Sequence, residues 1–197
     1  MKIGIMSLYY KSINYGGILQ AYALCKQIDK LITEDDTVEQ ISYRLDNLSH
    51  LPYILTRLSK CIKNIIKFFI HSKRKKMFAH INKCIAFRKF DNEYIPHSKK
   101  IYDKNSIIKA ANKYDIFITG SDQVWNPQLY QSAFGLEFVD SIKTKASYAA
   151  SVSQYSLNEE QHNLFNKILK DYDYISVREK ISIGLLQPNT QKKLNGF

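Results

Sequence analysis

Short apolar runs alternate with amphipathic segments along this chain, and this alternation restricts its fold more than any other feature. Residues 2–8 have the composition of a buried strand, and after a polar loop the apolar residues from position 18 recur at helical spacing. Residues 37–43 have the pattern of a second strand, so the chain opens as a strand–helix–strand unit. Strands joined in this way run parallel in one sheet.

The same alternation continues to the end of the chain. Further strands are predicted at 115–120, 144–151 and 173–179, a short strand or turn at 135–140, and helices at 106–112 and 180–186. Another helix is predicted to begin at a capping box formed by Ser156 and Glu159, which are three residues apart. The predicted fold class is therefore α/β, with an open, mostly parallel Rossmann-like sheet and helices on both faces.

The 197 residues suit one domain with an appendage. We predict a single Rossmann-like domain over residues 1–187 and a polar tail over 188–197, which we expect to be frayed. A helical insertion is predicted at about 51–92, made of helices at 53–70 and 76–90.

The net charge of +11 belongs to that insertion. Residues 51–90 contain eleven Lys or Arg and no Asp or Glu, whereas the rest of the chain has 18 basic and 18 acidic residues. A basic amphipathic segment is typical of binding to an anionic membrane, and we predict residues 53–90 as the contact. Nucleic acid would also bind such charge without sequence preference, but we expect no nucleic-acid partner. A helical pair packed on the domain with a solvated basic face is the structural alternative.

Cysteines and histidines indicate no metal site. The three cysteines are far apart and match no zinc or CxxC spacing, and the five histidines fit no ligand spacing. Three reduced thiols are typical of a cytoplasmic protein. The first residues lack the apolar region and cleavage site of a signal peptide, and the apolar patches are too short for a membrane span. We therefore expect a cytoplasmic protein that can be peripheral at the inner face of the membrane.

Three polar loops follow predicted strands and supply the candidate site residues. The first contains Asn14, Tyr15, Gly16 and Gly17, the second Gly120, Ser121, Asp122, Gln123, Trp125 and Asn126, and the third Arg178 and Glu179. Open parallel sheets bind ligands outside the carboxyl ends of their strands. The three loops are therefore predicted to open on the same edge.

Each loop has a chemical and a structural interpretation. Glycines before a helix can present N–H groups to an anion, or Asn14 can simply cap the helix. Asp122 beside a hydroxyl is an acid–base candidate, or it caps a turn in which Trp125 packs. Arg178 can clamp a phosphate or carboxylate with Glu179 orienting it, or the two form an ion pair at a helix start. The residues alone predict an anion-binding crevice in a transferase-like α/β enzyme.

Longer stretches around these loops resemble a known family. The segments "NYGGILQAYAL", "YDIFITGSDQVWNP", "SYAAS" and "ISVREK", in this order, resemble the polysaccharide pyruvyl transferase family, as does "FRKFDNEYIPHSKKIYDKNSI". The resemblance implies transfer of a pyruvyl group from phosphoenolpyruvate to two hydroxyls of a sugar in capsule, exopolysaccharide or cell-wall glycans. It implies a fold similar to the two-domain glycosyltransferase B type, and no cofactor or metal beyond the donor substrate.

The resemblance also implies roles for individual residues. Asp122 would act at the acid–base step or on the acceptor hydroxyls, and Arg178 would hold the anionic groups of the donor. Asn14 and Gly16 would line the floor of the pocket, and Trp125 would stack on a sugar ring. The acceptor would be a glycan, including one carried on a lipid.

Family members contain a second Rossmann-like half, which would follow "SVREK". We therefore expect the N-terminal half of the fold, in a truncated chain that is inactive alone or is completed by a second polypeptide. Two other functions stay open: a glycosyltransferase that uses a nucleotide sugar, and a non-catalytic fragment whose basic segment binds membrane or nucleic acid. Dependence of product formation on phosphoenolpyruvate separates pyruvyl transfer from the glycosyltransferase.

Overall fold

Four parallel strands form the centre of the protein. They are β1 (Lys2–Met6), β2 (Thr37–Gln40), β3 (Ile116–Thr119) and β4 (Thr144–Ser147), in the spatial order β2-β1-β3-β4. Ile3 of β1 pairs with Val38 on one side and Ile116 on the other. This computed structural model describes residues 1–45, 74–192 and 194–196. The predicted α/β class with an open parallel sheet is confirmed.

Helices cover both faces of this sheet because successive side chains of a strand point to opposite faces. The helices are α1 (Tyr15–Asp29), α2 (Arg74–Tyr94), α3 (Glu159–Leu169) and α4 (Lys180–Leu186). On one face, Leu24 and Cys25 of α1 share a core cluster with Ile118 of β3. On the other face, Phe117 belongs to the larger core, which also contains Phe165 of α3.

A second pair of parallel strands extends this arrangement. Strand β5 (Ile175–Val177) pairs with β6 (Leu194–Gly196), and single bridges such as Ala150–Val177 bring β5 beside β4. The predicted fraying of the polar tail is wrong for residues 194–196. Leu194 is buried in the main core and pairs with Ile175, so both its side chain and its backbone are held.

Residues 135–138 form turns, which is one of the two alternatives predicted for 135–140. Two other local predictions differ from the structure: the helix predicted at 106–112 is a 3-10 helix, Ile107–Lys113, and the capping box of α3 has other partners. The capping box of α3 is formed by Asn158 and Gln161, two residues after the predicted pair. Asn158 accepts the N–H of Gln161 at 2.9 Å, and the Gln161 side chain accepts the N–H of Asn158 at the same distance.

The insertion is described in part. Helix α2 confirms the second predicted helix, while the helix predicted at 53–70 lies outside the described residues. Phe87 of α2 is buried with Ile18 and Ala21 of α1, which ties this helix to the domain. Among the helices described, none combines the length and the apolar content that crossing a bilayer requires.

Candidate functional site

The loops that follow β1, β3, β4 and β5 meet at the carboxyl edge of the sheet. The parallel arrangement brings them there, because every strand in the set ends at the same side. Bridges pair Asp122 with Ala150 and Ala150 with Val177, so the last three loops are in direct contact. The predicted common edge is therefore present.

The first loop starts helix α1 at this edge. The side chain of Asn14 accepts the N–H of Gly16 at 2.9 Å, and the N–H of Asn14 is donated to Ser12 Oγ at 3.1 Å. Asn14 is thus the N-cap, as its structural interpretation required. Gly17 is buried, and a Cβ on it would lie 3.3 Å from the carbonyl oxygen of Leu8. The first turn of α1 therefore packs tightly against the loop that precedes it.

Asp122 lies beside that first turn. A Cβ on Gly17 would be 3.8 Å from Asp122 Oδ2, so the carboxylate lies beside the first turn of a 15-residue helix. Oδ1 accepts the N–H of Gln123 at 2.9 Å, and the carbonyl of Asp122 accepts the N–H of Ser151 at 2.9 Å. The N-terminal end of a helix carries partial positive charge. The carboxylate is therefore fixed where that charge favours an anion.

The backbone of Asp122 is strained. Its φ is 98°, in the left-handed region that residues with a side chain adopt rarely. Such conformations persist where the surrounding structure holds them, and they are frequent at functional sites. Here the holding contacts are the bond to Ser151 and the bridge to Ala150.

Arg178 joins the third loop to the second. Its Nη2 donates to Ser121 Oγ at 2.8 Å, while its backbone N–H donates to the carbonyl of Ala150 at 3.1 Å. The side chain is exposed, so its remaining donors face solvent. Arg178, Ser121 and Asp122 thus form the polar face of the edge.

Glu179 has a different partner from the one predicted. We expected it to orient Arg178, but its Oε1 accepts the hydroxyl of Ser151 at 2.7 Å and its Oε2 accepts that of Ser182 at 3.1 Å. Both carboxylate oxygens therefore hold the loop after β4 against the start of α4. Ser151 is fully buried and was not predicted as a site residue. The run of small residues in "SYAAS" was the signal, because it indicates close approach at this point.

Trp125 and Asn126 are structural. Trp125 is 0% exposed, its ring lies 5.5 Å from that of Tyr172, and its Nε1–H is donated to the carbonyl of Phe134 at 3.3 Å. A ring buried on all sides has no face for a sugar, so the predicted stacking role is not supported. The Oδ1 of Asn126 accepts the N–H of Gln128 at 3.0 Å, which shapes the turn.

Of the remaining predicted residues, Gly120 has a packing role, whereas Gln123 and Tyr15 are exposed. Gly120 is buried, and a Cβ there would lie 3.1 Å from that of Ser7, so its role is close packing. Gln123 is exposed at the edge. Tyr15 is 62% exposed and its ring lies 4.6 Å from that of Phe87, which brings α2 to the rim of the edge.

Together these contacts define a Rossmann-like α/β domain with a candidate anion site at the ends of its strands. Its chemical groups are a guanidinium, a hydroxyl and a carboxylate beside a helix N-terminus. The family model for polysaccharide pyruvyl transferase matches residues 14–190, which include all the candidate site residues from Asn14 to Glu179. The chain therefore belongs to the polysaccharide pyruvyl transferase family. A search of the curated proteins found no match.

Proposed function

We propose that this chain binds phosphoenolpyruvate at the carboxyl edge and takes part in transferring its pyruvyl group to two hydroxyls of a sugar, in glycan biosynthesis. The observation that carries the proposal is the contact of Arg178 with Ser121 next to Asp122. The guanidinium donates to the hydroxyl of Ser121, the residue that directly precedes Asp122 in the chain. Membership of the family supports the same assignment.

The donor carries a phosphate and a carboxylate, and the edge offers partners for such groups. The planar guanidinium of Arg178 can form two parallel hydrogen bonds to either group. The N-terminus of α1 adds partial positive charge that favours an anion, while the N–H of Gly16 is already donated to the Asn14 cap. We assign the donor to the space between Arg178 and this helix end.

Asp122 is the proposed partner of the acceptor hydroxyls. The methylene carbon of the donor gains a proton and becomes a methyl group, and a sugar hydroxyl attacks the neighbouring carbon while Asp122 takes its proton. The bond from that carbon to the phosphate oxygen breaks, and its electron pair leaves with phosphate. The second hydroxyl then attacks the same carbon and loses its proton, which closes the ketal. Two hydroxyl protons are released, one balancing the methylene proton and one leaving with phosphate.

Calorimetry with phosphoenolpyruvate tests the donor assignment. We expect saturable binding, which Arg178→Ala weakens about 10- to 100-fold because a hydrogen bond to a charged group is worth roughly 1.5–3 kcal/mol. Arg178→Lys keeps the charge but loses the two-pronged geometry, and should bind with intermediate affinity. Arg88→Ala is the matched control, because it removes the same charge from an exposed position on α2.

The possible outcomes separate the interpretations. Equal affinities of wild type, Arg178→Ala and Arg88→Ala would contradict the donor site. Binding of a nucleotide sugar, with none of phosphoenolpyruvate, would favour the glycosyltransferase alternative. In a preparation with measurable pyruvyl transfer, Asp122→Asn should keep the affinity for phosphoenolpyruvate and lose most of the transfer rate. An unchanged transfer rate would exclude Asp122 from the acid–base step.

A further inference from the structure

Hydrogen bonds and peptide bonds at the carboxyl edge close into a ring of five residues. Arg178 Nη2 donates to Ser121 Oγ at 2.8 Å, and Ser121 is joined by a peptide bond to Asp122. The Asp122 carbonyl accepts the N–H of Ser151 at 2.9 Å, and the Ser151 hydroxyl is donated to Glu179 Oε1 at 2.7 Å. Glu179 directly follows Arg178 in the chain, which completes the ring. We call these five residues the edge ring.

The bond between Ser151 and Glu179 is held on both sides. Ser151 is 0% exposed, and a buried hydroxyl requires a hydrogen-bond partner. Because its single proton is donated to Glu179, the hydroxyl of Ser153 is the donor in the other contact of Ser151, at 2.8 Å. Glu179 Oε2 accepts the hydroxyl of Ser182 at 3.1 Å, which fixes the carboxylate at the start of α4. The two side chains therefore have little freedom to move apart.

Ala150 and Ser151 together hold the backbones of both charged residues of the candidate site. The carbonyl of Ala150 accepts the N–H of Arg178 at 3.1 Å, and the N–H of Ser151 is donated to Asp122 at 2.9 Å. A shift of this dipeptide would therefore move Arg178 and Asp122 relative to each other. The left-handed backbone of Asp122, with a φ of 98°, also needs neighbours that hold it. Glu179 acts on both residues through the hydroxyl of Ser151.

We propose that Glu179 and Ser151 are positioning residues that set the carboxylate of Asp122 and the guanidinium of Arg178 relative to each other. Ser151 is buried and both oxygens of Glu179 accept hydroxyls, so the pair acts through its hydrogen bonds and not by contact with a ligand. The negative charge of Glu179 has no part in this role. The consequence for donor binding rests on the proposed function, whereas the effect of the pair on the two loops does not.

Calorimetry with phosphoenolpyruvate tests the positioning role. Glu179→Ala and Ser151→Ala each break the bond and should weaken binding about tenfold although Arg178 is intact, because the guanidinium is misplaced. Glu179→Gln is the conservative variant, since its Oε1 can accept the Ser151 hydroxyl and its Nε2 can donate to Ser182 Oγ. It should bind within about threefold of wild type, because the hydrogen bonds are kept. The double alanine variant should bind no more weakly than the weaker single variant, because both changes remove one interaction.

Ser147→Ala is the matched control for a merely structural role. Ser147 is also buried on β4, and its hydroxyl links β4 to β5 by donating to the carbonyl of Ser176 and accepting its N–H, both at 3.0 Å. This variant should lose stability as Ser151→Ala does, yet bind phosphoenolpyruvate as wild type does. Equal affinities of wild type, Ser151→Ala and Ser147→Ala would overturn the proposal. A loss in Glu179→Gln as large as that in Glu179→Ala would also overturn it, because the charge would then be responsible.

Amide hydrogen exchange tests the edge ring without any ligand. The N–H groups of Ser151 and Arg178 should exchange about tenfold faster in Glu179→Ala, relative to those of β1, because the dipeptide that they bridge is loosened. In Glu179→Gln they should exchange as in wild type. Unchanged exchange in Glu179→Ala would overturn the positioning role, whatever the calorimetry shows. If wild type binds no phosphoenolpyruvate but Glu179→Ala still loosens these amides, the edge ring stands and the donor assignment alone is rejected.

Discussion

The loops of the sheet edge and the α1–α2 side of the molecule are held by different forces. At the edge, hydrogen bonds cross from loop to loop: Arg178 to Ser121, Ser151 to Glu179, and Ser151 to the backbone of Asp122. Between α1 and α2 the contacts are aromatic, as in the pair of Tyr15 and Phe87. Directional bonds fix where a functional group points, whereas apolar contacts leave surface available.

The difference indicates which kind of binding each region suits. Groups that must be positioned relative to a reacting atom belong to the cross-linked edge. Surface that must accept a variable apolar partner belongs to the side that lacks such cross-links. The four predictions below test this contrast.

Cysteine reactivity should show the largest difference between the regions. Burial raises the pKa of the Cys25 thiol to about 12, on the face of α1 that packs against the sheet. Cys84 is half-buried on α2. With iodoacetamide at pH 8, we expect Cys84 to react roughly 100-fold faster or more, since burial restricts access and lowers the thiolate fraction. Mass spectrometry of a Cys61→Ser variant measures both rates; comparable labelling in the folded protein would contradict the assigned burial.

The loss in free energy of unfolding on truncating a large side chain should differ between the two regions by several kcal/mol. Trp125→Ala is expected to lower the free energy of unfolding by about 3–5 kcal/mol, because it leaves a cavity between Phe165 and Tyr172. Ile85→Ala on α2, where the side chain is 59% exposed, should change it by about 0.5 kcal/mol or less. Urea unfolding provides both values. A loss below about 1 kcal/mol in Trp125→Ala would place this ring outside the core.

The two glycines of the first loop form an internally controlled pair. A Cβ at Gly17 would meet the Leu8 carbonyl at 3.3 Å, so Gly17→Ala should cost about 1–3 kcal/mol of stability and weaken donor binding. A Cβ at Gly16 would meet only Asn14 Oδ1, at 3.4 Å. Gly16→Ala should be neutral or stabilise by up to about 1 kcal/mol, because alanine favours the helix. Similar unfolding midpoints for the two variants would show that the start of α1 is not tightly packed.

The smallest effect is expected at the opposite end of β1. Hydrogen bonds lower the pKa of Asp36 to about 2, and the largest contribution comes from the Met1 amino group. Bonds from Thr33 contribute less. A carboxyl group whose pKa is lowered by folding stabilises the native state at pH values above its unfolded pKa of roughly 3.9. This contribution is lost as the pH falls towards 2. The stability difference between wild type and Asp36→Asn should therefore shrink between pH 5 and pH 2, and a constant difference would exclude this linkage.

The strands and the helices could be predicted because their periodicity is local. Residues 2–8 and the stripe from Ile18 set β1 and α1 with no knowledge of the rest of the chain. The cap of α3 was displaced by two residues, since Ser156 and Asn158 are both good N-cap residues with an acceptor three positions later. Strand β6 was missed because its three residues carry no alternation, and its pairing with β5 is non-local.

The site could be predicted as a set of loops but not as a set of contacts. Parallel strands guaranteed a common edge, and Arg178 and Asp122 lie on it. Which partner Glu179 takes depends on how far the loop after β4 reaches, and no local pattern encodes that distance. The resemblance to the family implied that Trp125 stacks on a sugar, yet its ring is packed in the core.

The left-handed backbone of Asp122 has a consequence for how this position tolerates variation. At a φ of 98°, glycine is the least strained residue, asparagine and aspartate are tolerated, and β-branched residues are excluded. A saturation library selected only for folded, soluble chains should therefore enrich glycine at position 122. The same library selected for pyruvyl transfer should return aspartate. Selection for folding and selection for activity would thus enrich different residues at position 122.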